Sequence, residues 1–429
     1  MKYAIVTFGC RVNQADSFQI EEQLVAAGGA AASTLDAELV IVNTCSVTSS
    51  ADQGTRQVVR KIARENPRAR IVVTGCYATR RPEEVAGLPG VVQIVPNDRK
   101  ERLVNVIDLA ALKSKSADGG LTTAQRFGDG DGACGSTIAP GLAGRTAFTL
   151  RVQTGCDQAC SYCIIPATRG AGRSRPVDEV LSEIDRVSDA GYREIAITGV
   201  HLGSYGRDLG DGTSLLALLK AIEHRATRIR FRISSLEPMD CTDEIVDLVA
   251  ASTCFAPHFH LPLQHASDPM LVAMRRPYTL AYYRRLVDRI RERMPHASIG
   301  TDVIVGFPGE TAGEFAVLEA FLSASPITHV HVFPYSDRPG TVATALPDKV
   351  HGSTVRERAA VIRTIGRDLN QRFHRSQDGS VRPGLTIEDG SLVVTDNFLK
   401  VRIAPGHVRN EWVSVRVTSS DGSLTGAVV

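Results

Sequence analysis

Short apolar runs, each followed by an amphipathic stretch of helical period, recur along most of this chain and commit it to parallel sheets crossed over by helices. In the first hundred residues, 3–8, 39–42, 71–73 and 91–95 read as buried strands, and 15–27, 50–65, 80–87 and 98–111 as helices. Gly9-Cys10, Thr44-Cys45 and Gly75-Cys76 each follow one of the first three strands and precede a helix. The carboxyl ends of parallel strands share one edge, where such folds hold ligands. Thiols separated by 35 and 31 residues are thereby expected to converge without any short motif.

From 113 to 144 the periodicity disappears, and eight of these 32 residues are glycine, with Asp118, Asp129 and Asp131 among them. This reads as an interdomain linker containing Cys134, an incidental exposed thiol. A second series follows, with strands near 148–152, 194–197, 229–233, 258–261, 299–305 and 329–333. Helices near 177–190, 213–225, 242–251, 279–293, 311–324 and 353–376 separate or close these six units. Six repeats suggest an open, partial (β/α)6 barrel rather than a closed eight-stranded one. After Pro383 the runs 392–395, 399–403 and 412–417, with Asp389-Gly390 and Asp421-Gly422 turns, predict a small β-barrel. The expected fold is therefore α/β, divided as residues 1–112, a linker over 113–144, a barrel domain over 145–376 and a β-rich tail over 377–429.

At 429 residues the chain exceeds one ordinary core, and 43% hydrophobic with 22% charged residues is globular composition. No apolar run approaches the roughly 20 residues that span a bilayer, so a soluble, cytoplasmic protein without a membrane partner is expected. Nine cysteines, an odd number, argue against a disulfide framework and for metal or redox chemistry. A net charge of +2 does not by itself announce nucleic acid. Local arginines do more: Arg56, Arg60 and Arg64 share a helix face with Lys61 beside it, and Arg284, Arg285, Arg289, Arg291 and Arg293 form a second group preceded by Arg275-Arg276. A merely solvated face is the alternative for both.

The segment Arg151-Val-Gln-Thr-Gly-Cys-Asp-Gln-Ala-Cys-Ser-Tyr-Cys-Ile-Ile-Pro puts Cys156, Cys160 and Cys163 on one loop after the first barrel strand. That is the catalytic end of such barrels. A structural zinc knuckle wants a fourth ligand, whereas an iron-sulfur cube held by three thiolates keeps one iron open. The Cys-x3-Cys-x2-Cys loop resembles that of the radical S-adenosylmethionine superfamily. The resemblance implies a 4Fe-4S cluster on Cys156, Cys160 and Cys163 whose free iron takes the amino and carboxylate groups of S-adenosyl-L-methionine. It places Tyr162 by the adenine, and Thr198, Gly199 and His201 at the methionyl amine, although the acidic residue usual in that segment is missing. Packing of the loop by Tyr162 and a plain loop histidine at His201 are the alternatives.

Thr7-Phe-Gly-Cys-Arg-Val-Asn-Gln, Asn43-Thr-Cys-Ser-Val-Thr, Val73-Thr-Gly-Cys-Tyr-Ala and Cys163-Ile-Ile-Pro-Ala-Thr-Arg-Gly make the whole chain similar to the methylthiotransferases. In that family Cys10, Cys45 and Cys76 would hold a second 4Fe-4S cluster presenting sulfur, and the tail would be an RNA-binding TRAM barrel. One S-adenosylmethionine would methylate that sulfur, and a second would supply the radical. Thr198-Gly-Val-His-Leu-Gly-Ser-Tyr-Gly and Arg232-Ile-Ser-Ser-Leu-Glu-Pro look like the branch acting on threonylcarbamoyladenosine at nucleotide 37 of tRNA. Isopentenyladenosine in tRNA and an aspartate of a ribosomal protein are the alternative substrates, and an RNA-binding module with a structural metal is the non-enzymatic one. The implied partners are the tRNA anticodon loop, an electron donor such as flavodoxin or ferredoxin, and a sulfur donor.

Other residues are less telling. Asp302 would touch S-adenosylmethionine ribose or cap a turn. His258, His260 and His265 have a metal-like composition better read as hydrogen bonding, while Cys241 and Cys254 read as buried small residues.

Overall fold

The computed structural model describes residues 1–107, 146–210, 212–225, 228–420 and 422–429. The linker reading over 113–144 with its Cys134, the end of the 98–111 helix and Asp421 lie outside the described residues.

The amino-terminal body is a five-stranded sheet in the order Ala30–Ala31, Lys2–Thr7, Leu39–Thr44, Arg70–Gly75, Val91–Val95, parallel throughout. The central strand is buried at every position, as strands covered on both faces must be. Its side chains alternate between two cores. Val40 and Val42 join Val59, Ile71 and Val73 on one face, and Leu39 and Ile41 join Ile20, Leu24 and Val72 on the other. Pairing of Thr7 with Asn43, Asn43 with Thr74 and Thr44 with Gly75 keeps the strand ends level, so the three cysteine loops leave from one edge. The 80–87 helix is instead two short ones, Cys76–Arg80 and Pro82–Ala86. Pro82 opens the second because it has no N–H to give to a continuing helix. Residues from 98 onward form the 3-10 turn Lys100–Arg102 and the short helix Leu103–Val106.

Six parallel strands make the second body. Phe148–Arg151, Glu194–Thr198 and Arg230–Ile233 form one sheet, and His258–His260, Ser298–Val305 and His329–Pro334 another. Bridges Phe231 to Phe255 and Ser235 to His260 join them into the expected open barrel. Helices Val177–Asp189, Leu215–Glu223, Asp243–Ala251, Leu280–Arg293 and Ala312–Ala324 cover its outside. Their apolar faces join the strands in one core that runs from Phe148 to Leu369.

The tail closes into a five-stranded barrel. Its strands Val381–Ile387 and Ser423–Val428 extend the sequence reading. So small a barrel gains stability from closure and docking, and both are present. The buried Arg232 pairs with Glu194 through Nε (2.9 Å) and donates to the Thr395 and Asp396 carbonyls at 2.7 and 2.8 Å, while the Phe398 ring packs tilted against His258.

Candidate functional site

Glycines let the three amino-terminal cysteine loops close in. Gly9 has φ +92°, and a Cβ there would lie 2.5 Å from Cys45 Cβ and 2.6 Å from its Sγ. At Gly75, φ +97°, a Cβ would sit 2.3 Å from the Thr44 carbonyl oxygen. Asn13 ties the loops by donating to the carbonyls of Phe8 (2.8 Å) and Thr44 (2.9 Å). The Val47 N–H points at Cys45 Sγ (3.5 Å) and Asn97 Nδ2 at Cys76 Sγ (3.6 Å). Burial first, and then repulsion from Cys10 and Cys76, pushes the Cys45 thiol up to about 12.

The second triad is shaped in the same manner. Gly155 has φ +75°, and a Cβ there would fall 1.9 Å from the Ala171 carbonyl. Arg276 Nη1 donates to Cys160 Sγ at 3.1 Å while Nη2 pairs with Glu237. Arg276, expected in a basic surface patch, is thus a buried neighbour of a cysteine. Burial lowers the pKa of His201, but hydrogen bonds to Asp240 and Cys156 outweigh it and raise it to about 9. Burial and the neighbouring thiols likewise push Cys163 up to about 12.

Thiols held neutral in this way become ligands only when a metal displaces their protons. Among the described residues, His260, Asp302 and His331 bring three ligand atoms within 4.8 Å of one another. A tetrahedral structural zinc wants a fourth ligand beside three thiolates. Three thiols without a fourth ligand suit a cube that takes each thiolate on a different iron and leaves the fourth iron open.

A cavity of about 190 Å³ borders both Cys163 and the loop that follows Cys45. Val47 and Thr48 from the Cys45 loop form one side, and Tyr162, Cys163, Ile164 and Ile165 another. Gln264, Asp302, Ile304, Phe333 and Tyr335, from the carboxyl ends of barrel strands and the loops after them, complete it. A larger cavity of about 270 Å³, against Phe18 and Phe148, has no cysteine in its wall.

Of the residues expected at S-adenosylmethionine, Tyr162 lines the chamber and packs near Met270, Met274 and Phe307. Thr198 ends its strand, Gly199 and His201 lie in the bend that follows, and none of the three lines the chamber. Gln153 pins that turn by accepting from the N–H groups of Val200 (3.0 Å) and His201 (2.9 Å). His258, His260 and His265 do not converge. Instead His260 Nε2 and His331 Nδ1 reach Asp302 Oδ1 at 2.9 and 3.1 Å, and His265 Nδ1 accepts from Ser267 N–H. Cys241 is buried, and half-buried Cys254 meets Glu223 at 3.0 Å. In the arginine groups, Arg56 is taken up by Tyr77 and Glu84, Arg289 and Arg293 by Asp247, and Arg291 by main-chain carbonyls. Arg60, Arg64, Arg284 and Arg285 remain exposed.

Residues 2–96 match the uncharacterized protein family UPF0004, and residues 150–322 match the radical SAM superfamily. Over 410 residues the chain is 33% identical to the threonylcarbamoyladenosine tRNA methylthiotransferase MtaB of Bacillus subtilis, covering 93% of this chain and 89% of that one. The chain belongs to the MtaB family of radical SAM methylthiotransferases. It is also 32% identical to the tRNA-2-methylthio-N(6)-dimethylallyladenosine synthase of an Arthrobacter, over 83% of this chain but 68% of the relative. In fold it is similar to the radical S-adenosylmethionine methyltransferase TsrM of Kitasatospora setae, with TM-score 0.58, 16% identity and coverage of 80% and 77%. Membership of the superfamily implies one 4Fe-4S cluster and S-adenosylmethionine, for which the Cys-x3-Cys-x2-Cys loop has the donor set. No helix among the described residues is long and apolar enough to cross a membrane.

Proposed function

We propose that this protein converts N6-threonylcarbamoyladenosine at nucleotide 37 of tRNA into its 2-methylthio derivative, with Cys156, Cys160 and Cys163 holding one 4Fe-4S cluster and Cys10, Cys45 and Cys76 a second. The observation that carries this reading is the single chamber walled both by Cys163 and by the residues just past Cys45. When bound, the first cluster supplies the electron that cleaves S-adenosylmethionine, and the second supplies sulfur.

The chain's own residues do the positioning. Arg276 fixes Cys160, and His201, itself oriented by Asp240, fixes Cys156. Thr198 and Gly199 shape the turn that carries His201, and Tyr162 offers an aromatic wall for an adenine. Ile164, Ile165, Ile304 and Phe333 give the chamber an apolar lining with no nucleophile to intercept a reactive carbon radical. An anticodon-loop adenine suits the chamber because a single-stranded base leaves its stack at low cost. The carboxy-terminal barrel and the exposed Arg60 and Arg64 supply RNA contacts, and a flavodoxin or ferredoxin and a sulfur donor complete the cycle in the cytoplasm.

Nucleoside mass spectrometry of tRNA from a strain lacking the gene tests this. The expected result is loss of 2-methylthio-threonylcarbamoyladenosine with accumulation of the unmethylthiolated nucleoside. Its persistence overturns the reading, and loss of the isopentenyl counterpart instead reassigns the substrate.

A further inference from the structure

Two arginines of the barrel body reach across to side chains beside the amino-terminal cysteines. Arg169 follows the second triad by six residues and is buried; its Nη2 donates to Asn13 Oδ1 at 2.5 Å and pairs with Asp16 at 3.0 Å. Asn13 is the side chain that ties the loops carrying Cys10 and Cys45. Asn97 links the same place to the third thiol, donating both to the Thr168 carbonyl (2.8 Å) and to Cys76 Sγ (3.6 Å). The Arg169 charge acts on Cys76 and Cys10.

On the other side stands Arg338, 3% exposed, from the loop after the last barrel strand. Its Nη1 donates to Asp52 Oδ2 at 2.8 Å. Asp52 also accepts from Ser46, the neighbour of Cys45, and from Arg80. The remaining Arg338 groups, Nε and Nη2, are buried without a hydrogen-bond partner among the described residues, and the guanidinium charge acts on Cys45. A buried guanidinium with unused donors costs several times what a satisfied one does, unless an acceptor that is not part of the protein completes it.

We propose that Arg169 and Arg338 are the outer-shell cations of the cluster held by Cys10, Cys45 and Cys76, so that the barrel body sets the reduction potential of a cluster whose ligands all lie in the other body. The inference rests on the second-cluster reading above. A four-iron cluster on three thiolates is an anion that gains charge on reduction, and its potential follows nearby charge and hydrogen bonds to its sulfurs. Lys100 and Arg80 give the amino-terminal body counter-ions of its own on Asp16 and Asp52. Arg169 and Arg338 add charge only when the bodies are docked.

The test uses the full-length Cys156→Ala/Cys160→Ala/Cys163→Ala chain, which keeps only the amino-terminal site, reconstituted anaerobically and titrated with a reductant while the paramagnetic reduced cluster is followed. Arg169→Gln and Arg338→Gln are each expected to make one-electron reduction at least tenfold less favourable, a shift of about 59 mV to lower potential. Arg169→Lys and Arg338→Lys are expected to recover most of it. Full iron loading with unchanged potential in both glutamine variants overturns the proposal. Failure of the parent triple variant to bind iron overturns the second-cluster reading and the proposal with it. Should Arg169→Gln not fold, Arg338→Gln carries the test, because Arg80 still pairs with Asp52.

Discussion

Replacing Gly9 by alanine should empty one cysteine site and leave the other working. The added Cβ would stand 2.5 Å from Cys45 Cβ and 2.6 Å from its sulfur. Ordinary carbon contacts begin near ~3.5 Å, so Cys45 must retreat by about 1 Å. Alanine at φ +92° costs about 1 kcal/mol more for the backbone, and overpacking about 1–3 kcal/mol. Together these are smaller than a typical domain's stability, so the chain still folds. Iron–sulfur geometry is less forgiving: metal sites tolerate about 0.2 Å. Gly28→Ala is the control, with φ +79° but nothing within 4 Å of the new carbon. Iron analysis of the reconstituted proteins should give about eight irons per chain for the parent and Gly28→Ala and about four for Gly9→Ala. The Gly9→Ala protein should still form 5′-deoxyadenosine, with methylthiolated tRNA down by about 10²-fold or more. Full iron and product in Gly9→Ala, or an equal loss in Gly28→Ala, would refute the steric argument.

Two further outcomes follow from buried charge. The His201 pKa is raised from 6.5 to about 9, a difference worth about 3 kcal/mol. That stability is fully present below pH 6.5 and is lost as pH rises through 9, so the anaerobic apoprotein should lose more thermal stability between pH 6 and 9.5 than His201→Gln does; parallel profiles would dismiss the linkage. Arg232→Met leaves the buried Glu194 unpaired and frees the Thr395 and Asp396 carbonyls, costing about 3–5 kcal/mol. Limited proteolysis should then release the carboxy-terminal barrel faster, and a variant as resistant as the parent would show that this contact does not hold the barrel.

Much of the architecture was legible because periodicity reports burial directly. Strands 39–42 and 71–73 are apolar on both faces, and their order alone places the loops carrying Cys10, Cys45 and Cys76 on one edge, where the level strand ends put them. Edges were harder. Ala30–Ala31 is too short to show a period, and Pro383 masks a strand in which it sits. The electrostatic setting of the cysteines was not legible. Arg169 meets Asp16 across 153 positions and Arg338 meets Asp52 across 286, and nothing local marks either pairing. Arg276 misled for the same reason: among clustered arginines, only the fold shows which one turns inward to Cys160.

The division of labour between the two triads is tested most directly by a Cys10→Ala/Cys45→Ala/Cys76→Ala chain, reconstituted and supplied with reductant, S-adenosylmethionine and tRNA bearing threonylcarbamoyladenosine. Mass spectrometry should find 5′-deoxyadenosine but no 2-methylthio nucleoside. Formation of that nucleoside by this variant would contradict the assignment of the dispersed cysteines to sulfur delivery.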